Sequence, residues 1–220
     1  MYKKLKGFLL CGFVVLALTV SSAYADINNG WYYGLNAGGA LLTDGDWKAS
    51  NGSGSGDIEY DTGFLVSGAI GYKFGMPRLE AEILYQSNDA DQLNTVGGTP
   101  ASVDGDISSL AFMVNGYIDF ANESSFTPFI IVGAGVANVE FDDLRYTSSG
   151  TKIIDDDDTV FAYQVGAGVA VDISENFILD FKYCYFGTSD PDFPDATDAT
   201  NTIETEFASH NITIGFRYNF

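Results

Sequence analysis

The chain has 220 residues, and its 30 acidic side chains against 10 lysines and arginines give a formal net charge of -20. This balance excludes a protein that binds nucleic-acid phosphates, because that affinity depends on Lys and Arg. A hydrophobic content of 46% excludes an acidic disordered chain, and the two Cys residues exclude a disulfide framework.

The first 25 residues have the features of a secretory signal peptide. After three early lysines, residues 7–20 are uncharged and mostly apolar, and Ala23-Tyr24-Ala25 has the small-x-small form of a signal-peptidase site. This run is shorter than the roughly 20 residues of a membrane-spanning helix, so we favour a signal cleaved before Asp26 over a transmembrane anchor. The mature chain is then predicted to be one domain, residues 26–220, whose single Cys184 allows no internal disulfide.

The mature chain shows period-two alternation of apolar with small or polar residues in eight segments, which is typical of strands with one apolar face. In chain order these segments are Trp31–Leu42, Phe64–Phe74, Leu79–Gln86, Leu110–Phe120, Phe126–Phe141, Phe161–Ile173, Phe177–Tyr185 and Asn211–Phe220. The facing of Phe126–Phe141 is ambiguous, because Phe129 and Ile131 fall in the opposite phase to Ile130 and Val132.

The connections between these segments alternate in length. Three are short turns, at residues 75–76, 122–125 and 174–176, and four span about 20 residues each, at 43–62, 88–106, 142–158 and 187–208. The long connections are rich in Gly, Ser, Thr, Asn and Asp, which predicts turns and irregular backbone. Their position at every second connection predicts an up-and-down antiparallel sheet with all four at one end.

Eight such strands fit either a soluble sheet with an apolar interior or a membrane barrel with an apolar exterior. Aromatic residues at both ends of the strands favour the membrane, whose two interfaces select them. One group is Trp31, Tyr72, Phe74, Phe120, Phe126, Phe177, Tyr218 and Phe220, and the other is Tyr85, Phe141, Phe161, Tyr163, Tyr183 and Tyr185. The long connections also hold 21 of the 30 acidic groups. We therefore predict an all-β, eight-stranded antiparallel up-and-down transmembrane β-barrel.

These features, with the terminal segment Gly215–Phe220, resemble the small outer-membrane barrels of the OmpA/OmpX and opacity type. Phe220, with Tyr218, Phe216 and Ile214 upstream, is similar to the signal by which that family meets the barrel-assembly machinery. The resemblance implies a monomer among outer-membrane lipids and lipopolysaccharide, with loops outside and with short turns and termini in the periplasm. The family includes structural anchors, adhesins, small pores and a few lipid-modifying enzymes.

Charged residues in the inward phase predict ion pairs inside the barrel. Four acids share that phase with three bases, which are Glu80, Glu82, Asp119 and Asp180 with Lys73, Lys182 and Arg217. An eight-stranded barrel is only wide enough for side chains to fill it, and a buried unpaired ion is costly. A plug of salt bridges is therefore favoured over a narrow, gated ion path.

The acidic loops and the glycine repeats carry weaker signals. Asp142 and Asp143, Asp155–Asp158 and the group from Asp190 to Asp198 suit Ca²⁺ by ligand type, but the EF-type pattern is absent and a solvated face is favoured. Gly133-Ala-Gly135 and Gly166-Ala-Gly168 lack the third glycine of a dinucleotide fingerprint, so we interpret them as packing positions. We predict no metal and no cofactor.

An enzyme is the remote alternative. A lipid-A-modifying activity would need Ser209 and His210 together with Glu204 or Glu206, but neighbours on a strand point to opposite faces. We assign no catalytic residue, and we interpret Cys184 as a small packing residue. The predicted function is a structural anchor or a surface adhesin or antigen with a host or surface ligand at the loops, and the alternative is a narrow porin for small solutes or ions.

Overall fold

The computed structural model describes residues 29–43, 45–49, 55–95, 100–195 and 198–220, so the predicted signal peptide lies outside the described residues. Twelve strands follow one another in this part of the chain: β1 (Gly30–Leu42), β2 (Gly45–Ala49), β3 (Ser55–Tyr60), β4 (Gly63–Lys73), β5 (Pro77–Thr95), β6 (Ala101–Asp119), β7 (Phe126–Tyr146), β8 (Lys152–Asp172), β9 (Phe177–Thr188), β10 (Asp192–Asp195), β11 (Asp198–Thr205) and β12 (Ala208–Asn219). Within the same residues no helix is long and apolar enough to cross a membrane.

Eight of the strands close into a ring in the order β1, β4, β5, β6, β7, β8, β9 and β12. Every neighbouring pair is antiparallel, and β12 returns to β1 with Tyr218 opposite Tyr33 and His210 opposite Leu41. Closure leaves no free edge around the ring, which is the condition for a sheet in lipid. The predicted eight-stranded up-and-down barrel is confirmed.

The large apolar side chains of the ring point outward. Leu35 on β1 and Phe216 on β12 are 65% and 64% exposed, whereas Glu82 on β5 and Asn115 on β6 are almost fully buried. This pattern follows from strand geometry, which sends successive side chains to opposite faces. The ambiguous β7 obeys it too, because Phe129 and Ile131 are buried while Ile130 is exposed.

Aromatic side chains surround both ends of the apolar band. At the short-turn end, the Trp31 and Tyr72 rings are in edge contact at 5.3 Å, and those of Phe177 and Tyr218 at 4.9 Å. At the other end, outward-facing aromatics include Tyr85, Phe161 and Tyr163. The placement of Phe141 in this second group was wrong. Its ring is buried inside the barrel, because Phe141 shares the phase of Phe129 rather than that of Ile130.

The prediction of irregular long loops was also wrong. β5 to β8 continue far past the apolar band, and β2, β3, β10 and β11 complete a sheet beside them. We call this part the acidic extension: β2, β3, β10 and β11 with residues 86–95, 101–109, 138–146 and 152–160. Its strands form because apolar residues recur between the acids and bury together, as Ile58, Leu93, Val103 and Ile107 do.

The faces of the long strands exchange character where the acidic extension begins. In β6, Phe112 and Leu110 point outward beside the buried Asn115, but further along Ile107 is buried and Asp106 is exposed. On β7 only the outer face changes, from exposed Val136 to exposed Glu140, while the inner face stays apolar with Val139 and Phe141 buried. A strand with its apolar side out is suited to lipid, and one with its apolar side in is suited to water.

The repeated glycines face the interior. A methyl group at Gly166 would lie 2.7 Å from Cys184 Sγ, and one at Gly135 would lie 2.9 Å from Met113 Sδ. These separations are too short for ordinary contacts, so only glycine fits against the neighbouring strand. The interpretation of both copies as packing positions is confirmed.

Candidate functional site

The half of the lumen nearest the short turns holds four acids and four bases. Arg78 Nε lies 2.9 Å from Asp119 Oδ2, and Arg217 Nη2 lies 3.2 Å from Asp180 Oδ1. Looser pairs join Lys73 to Asp119 at 3.7 Å and Lys182 to Glu82 at 4.0 Å. Opposite charges are thus within reach of one another, as buried ions require, and the predicted ion pairs are confirmed in this half.

Glu82 is the centre of a polar network that spans the lumen. Its Oε1 accepts a hydrogen bond from Ser67 Oγ at 2.6 Å, and its Oε2 accepts from Asn115 Nδ2 at 2.7 Å and Gln164 Nε2 at 3.0 Å. Gln164 Nε2 also donates to Asn115 Oδ1 at 2.7 Å. The donors come from β4, β6 and β8, so one carboxylate ties three strands together.

Glu80 and Arg78 form a second cluster closer to the short turns. The Tyr117 hydroxyl donates to Glu80 Oε1 at 2.6 Å, and the Tyr32 hydroxyl donates to Glu80 Oε2 at 3.0 Å. The Arg78 guanidinium lies 4.1 Å from the Tyr117 ring centroid and 5.2 Å from that of Phe129. The sequence interpretation missed Arg78, although its position two residues before Glu80 puts it in the inward phase.

The other half of the lumen is closed by apolar packing. The Phe186 and Phe207 rings are in edge contact at 6.2 Å, and those of Phe141 and Phe193 at 5.0 Å. Between this core and the ionic half lies a cavity of about 10 Å³, lined in part by Cys184. That volume is about the minimum for one water. The interior is filled by side chains, and the buried Cys184 packs there as predicted.

The residues of the remote enzyme alternative do not meet. Ser209 is buried in the lumen, where its Oγ donates to Gln86 Oε1 at 3.3 Å. His210 lies on the outer face, where its Nδ1 shares a hydrogen bond with the Tyr183 hydroxyl at 2.7 Å. Glu206 is exposed, and the side chain of Glu204 is not described. The prediction that Ser209 and His210 face opposite sides is confirmed.

Aspartates from three strands of the acidic extension line an open pocket with a volume of about 420 Å³. Asp106 lies opposite Asp89 on β5 and Asp142 on β7. A hydrogen bond with Asp89, with partial burial and the neighbouring negative charges, raises the pKa of Asp106. Among the described His, Cys, Asp and Glu side chains, no group of three is arranged to hold a metal ion.

The acidic groups singled out in the sequence have separate places. Asp143 pairs with Arg145 and with Lys152, whose Nζ lies 3.2 Å from Asp143 Oδ1. The run Asp155–Asp158 lies along β8, with Asp156 exposed. Asp190 is exposed, whereas the side chains of Asp192, Asp195 and Asp198 lie outside those described.

Comparison with known proteins agrees with this architecture. Residues 11–220 match the family model described as the outer membrane protein beta-barrel domain. The chain belongs to this family. It is an outer-membrane β-barrel protein, and its apolar band is the surface that faces lipid.

This outer-membrane barrel is similar in sequence to two relatives and in fold to two solved structures. It is 25% identical to a candidate adhesin of Rickettsia conorii over 91% of this chain and 86% of that protein. It is 26% identical to the outer membrane protein PagN of Salmonella typhimurium over 69% of this chain and 71% of PagN. OprG of Pseudomonas aeruginosa superposes with a TM-score of 0.55 at 15% identity, covering 89% of this chain and 100% of OprG. Neisserial surface protein A superposes with a TM-score of 0.52 at 19% identity, covering 88% of this chain and 99% of that protein.

Proposed function

We propose that this protein is a surface adhesin, in which the barrel is a sealed anchor and the acidic extension binds a host or surface ligand. The observation that carries the proposal is the length of β7 and β8, which have 21 residues each. A membrane-spanning strand needs about 9–11 residues. The remainder of each strand carries the apolar core past the membrane-spanning part, as Val139 and Val160 do, and a pure membrane anchor does not require this length.

Two further observations support adhesion. The relatives include proteins named as candidate adhesins, one of which aligns over 91% of this chain. The filled lumen leaves a cavity of about 10 Å³ between its two halves, so the interior offers little to a transport function. Rigid scaffolds commonly present binding surfaces at one end, and here that end is acidic.

The proposed orientation places the acidic extension outside the cell and the three short turns and both mature termini in the periplasm. Charged residues keep the extension out of the hydrocarbon, because it is too polar to remain among acyl chains, and the relatives named as candidate adhesins support the outer side. Lipids and lipopolysaccharide would then surround the apolar band. Phe220 is exposed at the short-turn end, where the barrel-assembly machinery would meet it, and no partner subunit is needed for closure.

Surface display in a non-adherent Gram-negative host tests the function. Asn138 and Thr159 are directly paired, so an Asn-Gly turn replacing residues 139–158 removes the upper β7–β8 hairpin and leaves the lower strands intact. The shortened protein should insert normally and lose most adhesion, while the periplasmic-turn control Glu123→Gln should adhere like the wild type. Full adhesion without the hairpin would refute the proposal.

Two assays separate the alternatives. Single-channel recording of the purified protein in planar bilayers should show no steady conductance, and a reproducible conductance would support the narrow porin instead. Mass spectrometry of lipid A from cells with and without the protein should give identical spectra. A new lipid A species that depends on Ser209 or His210 would support the enzyme.

A further inference from the structure

A polar cluster interrupts the apolar band on the outer face of β8, β9 and β12. It consists of three tyrosines and the only histidine of the chain, which are Tyr163, Tyr183, Tyr185 and His210. The Tyr163 side chain is exposed and the other three are half-buried, so all four lie at the surface that faces lipid. The next outward positions of β12 are apolar instead, as with Ile212 and Ile214.

The His210 ring is held by two of these tyrosines. Its Nδ1 lies 2.7 Å from the Tyr183 hydroxyl, and the two rings are stacked with an interplanar angle of 17°. The Tyr185 ring, directly opposite on β9, meets the imidazole at its edge with the ring centroids 5.4 Å apart. These contacts fix the orientation of the imidazole on the outer face.

The hydrogen bond to Tyr183 makes Nε2 of His210 a donor. A phenol is a stronger acid than a neutral imidazole, and an imidazole nitrogen is the better acceptor, so the Tyr183 hydroxyl donates to Nδ1. The proton of the neutral ring then lies on Nε2, since the bond made by one ring nitrogen sets the state of the other. Protonation of the ring would leave this N–H in place. Among the described residues, none accepts a hydrogen bond from Nε2.

His210 lies where the apolar band ends. Two residues towards the short-turn end Ile212 is 59% exposed to lipid, whereas four residues in the other direction Glu206 is exposed and charged. An unpaired N–H at the edge of the hydrocarbon costs free energy, because little water reaches it. The acceptors at this depth of a membrane are the oxygens of lipid headgroups.

We propose that His210 Nε2 donates a hydrogen bond to the phosphate of a lipid headgroup, with Tyr183 and Tyr185 as positioning residues. Phosphate is favoured over an ester carbonyl, because a hydrogen bond to a charged acceptor is about twice as strong as one between neutral groups. Free phosphate is disfavoured, since the acidic extension repels anions on the water side, whereas a phosphate anchored by acyl chains reaches the ring from the membrane. With the proposed orientation, this lipid belongs to the outer leaflet.

The single histidine allows a direct test by solid-state NMR. The purified protein, without a polyhistidine tag and with 15N in its imidazole, is reconstituted in bilayers of lipid A and frozen, so that both nitrogen signals belong to His210. Dipolar coupling to 31P should dephase the Nε2 signal more strongly than that of Nδ1, which is bonded to Tyr183. An Nε2 signal without dephasing would overturn the proposal.

A further sample identifies the source of the phosphate. Bilayers of dephosphorylated lipid A contain no phosphorus, and inorganic phosphate added to them should not produce the dephasing of Nε2. If inorganic phosphate does produce it, the ring binds free anions and the assignment to a lipid headgroup is refuted.

Variants of His210 measure what the ring contributes to affinity. Native mass spectrometry of the protein in detergent micelles, with lipid A added in steps, gives the bound fraction. His210→Leu should bind lipid A about tenfold more weakly, as expected for the loss of one hydrogen bond to a charged acceptor. His210→Gln keeps an N–H donor and should recover part of the affinity. Equal affinity of His210→Leu and the wild type would contradict the site.

Tyr183→Phe and Tyr85→Phe are a matched pair, because each removes one hydroxyl from the outer face and only Tyr183 bonds to His210. Tyr183→Phe should weaken lipid A binding and shift both imidazole 15N signals as the ring divides between two tautomers, whereas Tyr85→Phe should change neither. Equal effects would refute positioning by Tyr183. Heat-modifiable gel mobility reports whether each variant retains a folded barrel.

The orientation of the barrel is tested separately, by labelling introduced thiols in intact cells. If that labelling inverts the topology while Nε2 is still dephased by lipid A, the phosphate site stands and the proposed orientation falls. If the topology is as proposed and Nε2 is not dephased, the phosphate site alone falls.

Discussion

Arg78 Nε and Asp119 Oδ2 are 2.9 Å apart inside the barrel, and both side chains are almost completely buried. The Tyr117 ring covers the guanidinium, with its centroid 4.1 Å from Cζ. Neither charge has bulk water beside it, because the lumen is packed and lipid lies beyond the wall. The ion pair between β5 and β6 therefore stabilises the barrel only while both side chains are charged.

Asp119→Asn is expected to destabilise the barrel by about 3–5 kcal/mol, because it leaves the Arg78 charge buried without its counter-ion. Denaturant unfolding of the refolded protein in detergent micelles measures this change. Asp172→Asn is the control, since Asp172 is exposed at the end of β8 and should change stability little. Equal stability of the two variants would contradict the role of the pair.

Gly135→Ala should destabilise the barrel by about 1–3 kcal/mol, because the added methyl group meets the β6 backbone and Met113 in a packed interior. Gly116→Ala is the matched control on the outer face. There the nearest atoms, in Val132, would be 3.9 Å from the new methyl group, an ordinary contact. Thermal unfolding in micelles compares the two, and a larger loss in Gly116→Ala would contradict the interior packing.

The pKa of Asp106 is raised by its hydrogen bond with Asp89 and by burial and nearby negative charge. A raised pKa means that the folded state holds the proton more tightly than the unfolded state does. The resulting stability is complete below the ordinary carboxyl pKa of about 4 and is lost as pH rises through the raised value. Low pH therefore favours this part of the acidic extension.

Asp106→Asn should remove that pH dependence, because the amide still donates to Asp89 and carries no charge. At pH 7 the variant should be more stable by about 0.5 kcal/mol, the scale of a like-charge cross-strand pair. Melting temperatures between pH 4 and pH 7 would show it. Glu123→Gln, in an exposed short turn, should leave the slope unchanged, and a wild-type slope in Asp106→Asn would be the contrary result.

Thiol labelling checks the proposed orientation. Ser149→Cys puts an exposed thiol in the turn between β7 and β8, and Glu123→Cys puts one in a short turn. A membrane-impermeant maleimide should label the first in intact cells and the second only after permeabilisation. Cys184 is buried and should give little background. The reverse pattern would invert the topology.

Period-two alternation predicted most of the membrane-spanning part. Segments such as Asn211–Phe220 interleave large apolar with small or polar residues, so both the strand and its outward face could be read directly. The ion pairs were also predictable, since Lys182 and Asp180 share one phase with Glu82 across the lumen. Arg78 was recoverable by the same rule and was missed because its strand was started at Leu79.

The acidic extension could not be read in the same way. There the apolar residues are sparse, as with Ile58 and Leu93 among Gly, Ser and Asp, and local composition favours turns. Pairing with distant strands overrides that preference, because Phe141 and Phe193 bury only when β7 and β10 come together. One extra residue in β7, in the bulge at Asp142 and Asp143, further disguises the alternation.

The change of the apolar side of β6 between Leu110 and Ile107 fixes the depth of the barrel in the membrane. If the barrel sank into the membrane by about one strand spacing, the carboxylate of Asp106 would enter the hydrocarbon. If it rose by the same distance, the apolar side chain of Leu110 would be exposed to water. Both displacements cost free energy, so the barrel keeps one depth in the membrane. The end of the acidic extension consequently stands at a set height above the hydrocarbon.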